Sequence, residues 1–200
     1  MRLADPLSLL LWMNTRTGQQ PPPNPFRRFE KLLRKFPFSK LAFAAEESRA
    51  ESIVRIHAIN WTEPPLAEYS LKGDPDVDEI LRLAREFQQP DSAVQLETMW
   101  DLWGIIAGDW KLTPIPVSIW MFQEEFERAE GEDFRIDFGP EVRFLPETKE
   151  AARIIKSNIQ SLLQLVHDLE DVLPVRERRL WTESGENFAE KLQRMTSAAS

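Results

Sequence analysis

Between Pro146 and Pro174 the chain carries its longest uninterrupted apolar periodicity. Ala151, Ile155, Ile159, Leu162, Val166, Leu169 and Leu173 follow spacings of four or three residues, alternating from Ile155 onward. This is one stripe of an amphipathic helix over about residues 147–172, and Leu163 and Leu165 widen it. Such a stripe fits a coiled-coil seam or the face of a sheet. The sheet is preferred, because a helix lying across a sheet is the more frequent source of this pattern.

The preceding segments read mainly as strands. "IPVSIWMF" (Ile115 to Phe122) is apolar nearly throughout, as a strand buried on both faces would be. "SIVRIHAINW" (Ser52 to Trp61) alternates, with Val54, Ile56 and Ala58 on one parity and Arg55 and His57 on the other. After "TEPP", "LAEYSLK" alternates in turn, so the two form an antiparallel hairpin. "FRIDFGPEVRF" gives two short strands around Gly139 and Pro140, suited to a sheet edge.

Two shorter helices complete the set. Phe26, Phe29, Leu32, Leu33 and Phe36 recur at helical spacing before Pro37 stops them. Asp74 as N-cap and Pro75 at the first helical position start another, with Ile80, Leu83, Ala84 and Phe87 buried.

"QLETMWDLWGIIAGDW" (Gln95 to Trp110) fits both templates. As a helix it stripes Leu96, Met99, Trp100, Trp103, Ile106 and Ala107; as a strand it puts Leu96, Trp100 and Leu102 inside. The strand is preferred as far as Trp103, since Gly104 would cost a helix roughly 1 kcal/mol. Trp103, at the strand end, is then the tryptophan left for a surface role, while Trp100 and Trp120 fill the core.

Runs of strands with segregated helices predict an α+β domain: a mainly antiparallel sheet of about five or six strands with the long helix on one face. The expected division is an apolar arm and proline-rich linker ("GQQPPPNP") over residues 1–25, one α+β domain over 26–182, and a short helix with a disordered tail over 183–200.

Composition narrows the chemistry. The absence of cysteine among the 200 residues excludes disulfides and thiolate nucleophiles, and with two histidines a zinc site would lean on carboxylates, so neither metal nor cofactor is expected. A net charge of −8 disfavours general nucleic-acid binding. The apolar run Leu7 to Met13 is short and follows Asp5 and Pro6, unlike a secretory signal, which makes the cytoplasm the default compartment.

Three groups of residues carry possible function. Arg55, His57, Glu68, Glu97, Asp101, Arg135 and Asp137 share the polar parity of their strands and would converge on one sheet face, as ligand contacts or as ordinary cross-strand ion pairs. Glu97 and Asp101 beside tryptophans suggest paired carboxylates of a glycosidase, which need to lie about 5 to 10 Å apart; in a strand they lie roughly 13 Å apart. Residues 26–40 hold six basic side chains against Glu30 alone, a surface for membrane or nucleic-acid phosphate, or for acids of this chain or a neighbour.

The leading expectation is a non-enzymatic protein-interaction module in which the arm and basic helix engage a partner protein or a second copy. The competing one is a small-molecule enzyme or binding protein using Arg55, His57, Glu68, Glu97, Asp101 and Trp103.

Overall fold

A computed structural model describes residues 8–15, 24–43, 50–58, 64–127, 131–145, 149–182 and 185–198. The proline-rich stretch over 16–23 and residues 59–63, which include the expected strand end Ile59 to Trp61, lie outside the described residues.

The ambiguous tryptophan segment is a strand. β4 (Ser92–Ile106) pairs along its length with β5 (Asp109–Phe122), from Ala93 opposite Phe122 to Ile106 opposite Asp109. The turn uses Ala107 and Gly108, both at positive φ (52° and 87°), which matches the right-handed twist of the flanking strands.

Around this hairpin the sheet grows to seven strands in the order β3-β2-β4-β5-β6-β1-β7, each neighbour antiparallel. β1 is Ser8–Asn14, β2 Glu51–Ala58, β3 Ala67–Lys72, β6 Phe134–Pro140 and β7 Glu177–Thr182. The class is thus α+β, with more strands than the five or six expected.

The extra strands have a common origin. Ser8–Asn14, expected to be part of a separate arm, is an interior strand whose Leu9, Leu11 and Met13 are buried in the chain's own core. β7 then pairs on its far side. With β1 beside it, β6 is interior too, and not the edge that its sequence suggests. The second strand expected after Gly139 and Pro140 is instead a single turn of 3-10 helix, Glu141–Arg143, which begins where β6 ends at Pro140, just after Gly139 at φ 70°.

Helices cover one face. α1 (Pro25–Lys35), α3 (Val77–Arg85) and α4 (Lys149–Val172) bury Phe29, Leu32, Ile80, Leu83, Leu162, Val166 and Leu169 against Val54, Leu96, Trp100, Ile119 and Ile136 in one cluster. α2 (Lys40–Phe43) touches β4 and β5, and α5 (Phe188–Ala198) sends Phe188 into the same core. α5 runs through Thr196 and Ser197, where the tail was expected to be disordered. The N-cap of α3 is Asp76 and not Asp74: its Oδ1 accepts from the N–H groups of Asp78 (2.9 Å) and Glu79 (3.4 Å), which starts the helix two residues later.

In the basic segment only Arg28 is buried, while Arg27, Lys31, Arg34, Lys35 and Lys40 are exposed. Arg28 is buried and pairs with Asp133 at 3.1 Å beside Thr15, while Arg34 holds Glu30 and Asp78. No described helix is long and apolar enough to cross a membrane.

Candidate functional site

The face opposite the helices carries the polar parity. Cross-strand register sets Glu68, Arg55, Gln95, Trp120 and Arg135 in one row, from β3 to β6. Arg55 Nε donates to Glu68 (2.5 Å) and Nη1 reaches Glu97 (2.5 Å), so one guanidinium spans two carboxylates from the strands on either side. Gln95 Nε2 donates to Ser118 Oγ (3.0 Å) and Glu97 (3.3 Å), and its Oε1 lies 3.0 Å from His57 Nε2. With the amide oriented this way, His57 donates from Nε2.

The His57 ring leans on Trp120, centroids 5.0 Å apart, and Trp120 stacks on Phe122. Desolvation lowers the His57 pKa below its ordinary value, with the Arg55 charge adding to the effect and the Gln95 hydrogen bond opposing it. Trp120 therefore belongs to a small cluster on the open face, not to the main core with Trp100.

Four expected residues, Arg55, His57, Glu68 and Glu97, come together in this network. The other three have hydrogen-bond or ion-pair partners of their own. Asp101 caps the start of α2, accepting from Ser39 Oγ and from the N–H groups of Lys40 (2.9 Å) and Leu41 (3.2 Å). Asp137 accepts from the Gly139 N–H (2.8 Å), and Arg135 pairs with Glu132 under Trp12 and Phe122. With Asp101 engaged as a cap, Glu97 and Asp101 do not form a carboxylate pair. Among the described residues no three His, Asp or Glu side chains gather as metal ligands.

Trp103 leads to a second location. β2 pairs with β4 only as far as Glu97, and β6 with β5 only back to Ser118, so the hairpin end extends past its sheet neighbours. There Trp103 (39%), Ile105 (62%), Ile106, Leu112 and Val142 are all exposed. Beside them lies a groove of about 480 Å³ between the hairpin, the 3-10 turn and α4, lined by Trp103, Trp110, Ile115, Val142, Arg143 and Ile155 among others.

One buried amide holds the groove together. Asn158 of α4 accepts from the Trp103 N–H (2.9 Å) and donates to the carbonyls of Trp103 (2.9 Å) and Arg143 (2.8 Å). It thus takes the place of a neighbouring strand on the free edge of β4. Neither Asn158 nor Arg143 stands out in the sequence. The available signal is a polar residue at an otherwise buried helical position, three after Ile155.

Comparison with protein-family models, with curated proteins and with solved structures gave no match.

Proposed function

We propose that this chain is a non-enzymatic interaction protein that self-associates through the free end of the β4–β5 hairpin. The observation that carries this reading is the gathering of Trp103, Ile105, Ile106, Leu112 and Val142, all exposed, around an apolar groove at one end of the molecule. Large apolar side chains clustered in this way are unfavourable in water and mark a contact surface. A second copy is the fitting occupant, because groove and tip adjoin: the groove wall carries the cation of Arg143, and the tip carries apolar side chains with the exposed carboxylate of Asp109.

On the polar face, by contrast, the charged groups serve each other, with Arg55 held by Glu68 and Glu97. Light scattering over a range of concentrations tests the proposal. A mass that rises to twice that of the chain, and that Ile105→Arg returns to one chain, is the expected result. A wild-type protein of single-chain mass throughout would overturn it, as would an Ile105→Arg variant that associates like wild type.

A further inference from the structure

The groove contains a cation for which the described part of the chain supplies no anion. Arg143 lines it, and its Nη1 is buried with no hydrogen-bond partner, 2.9 Å from where a Cβ on Gly139 would lie. Burial also lowers the pKa of this guanidinium. Water is thus withdrawn from part of this charge with no counter-charge among the described residues to replace it, an unfavourable arrangement that a carboxylate meeting the half-buried guanidinium from the groove side relieves.

The matching group is at the same end of the molecule. Asp109, the first residue of β5 after the turn, is exposed, and among the described residues its carboxylate meets only Lys111, at a loose 3.8 Å. Its neighbours Ile105 and Ile106 are exposed apolar side chains suited to the groove walls. The tip therefore offers an apolar body and a carboxylate, and the groove an apolar wall and a guanidinium. Edge-to-edge pairing of two hairpins is opposed by Pro114 and Pro116, which lack N–H donors on the stretch of β5 beyond its pairing with β6.

We propose that two copies associate about a two-fold axis, the hairpin tip of each seated in the groove of the other, with Asp109 pairing to the partner's Arg143. This rests on the self-association reading above and specifies its geometry. In a closed two-fold contact each pairing occurs twice. Two ion pairs form together, and they set the register of an interface that apolar contacts alone would leave free to slide. Because the chain carries −8, the local attraction also offsets the general repulsion between copies.

The test is charge exchange between copies, followed by sedimentation equilibrium on the full chain. Arg143→Glu alone and Asp109→Arg alone each place like charges at both contacts, and each is expected to weaken association by about 100-fold or more. Mixing the two variants restores opposite charges at both contacts, so the mixture is expected to form a one-to-one heterodimer. Circular dichroism checks folding, and Arg143→Gln, expected to weaken association less than Arg143→Glu, serves if the latter unfolds.

If both charge variants dimerise like wild type while Ile105→Arg does not, the hairpin interface stands and the Asp109–Arg143 pairing is overturned. If the variants are monomeric and their mixture stays monomeric, the reciprocal geometry is overturned. A monomeric wild type overturns both readings, whether its groove is empty or, on titration with decanoate, binds this amphipathic acid instead.

Discussion

Asn158 and Arg143 meet at one carbonyl, yet one has all its hydrogen bonds and the other finds no counter-charge among the described residues. Asn158 matters because removing its amide leaves the Trp103 N–H and two carbonyls without their partners. Asn158→Leu is expected to lower stability by about 2–3 kcal/mol in urea denaturation, the cost of orphaning buried backbone groups. His57 gives a pH signature. Its pKa is lowered in the folded state from an ordinary value near 6.5, so the unfolded chain binds its proton first. The contribution of His57 is fully present above pH 6.5 and is lost as pH drops through that value toward the folded pKa. His57→Gln is expected to flatten this part of the wild-type profile, measured as urea midpoint against pH; an unchanged slope would show that other groups produce it.

At the scale of elements, β1 and the hairpin turn make the strongest demands. Leu11 is fully buried between β6 and β7, so Leu11→Ala is expected to cost about 2–5 kcal/mol, and deleting residues 1–14 to prevent folding, both read by thermal melts. Ala107 adopts positive φ, a strain that asparagine tolerates better, and Ala107→Asn is expected to raise stability by up to about 1 kcal/mol.

These elements also show what a sequence conveys. Alternation along "SIVRIHA" suffices to place Arg55 and His57 opposite Val54 and Ile56, and the stripe of α4 is legible from spacing alone. What spacing does not contain is which strands become neighbours. A seven-residue apolar run ahead of a proline-rich stretch looks separable until β6 and β7 are seen to flank it. The parity that groups Asp101 with Glu97 likewise gives no hint that α2 folds back onto Asp101, and the lack of a counter-charge for Arg143 among the described residues is a property of the fold.

For the whole molecule, the sheet, its covering helices and their shared core account for most large apolar side chains, and the hairpin end is where the described structure leaves several of them exposed together. The proposed self-association rests on that unburied surface. Salt gives one check on its electrostatic part: raising ionic strength is expected to weaken association of the wild type, and to weaken that of Arg143→Gln less. The most direct measurement uses the absence of native cysteine. A nitroxide attached to Lys111→Cys, an exposed position near the tip, reports where two hairpins lie in an associated pair. Hairpins seated in each other's grooves give one short, well-defined distance between the two spin labels; labels that are far apart, or that show no dipolar coupling at concentrations where light scattering detects a dimer, would contradict association through this end of the molecule.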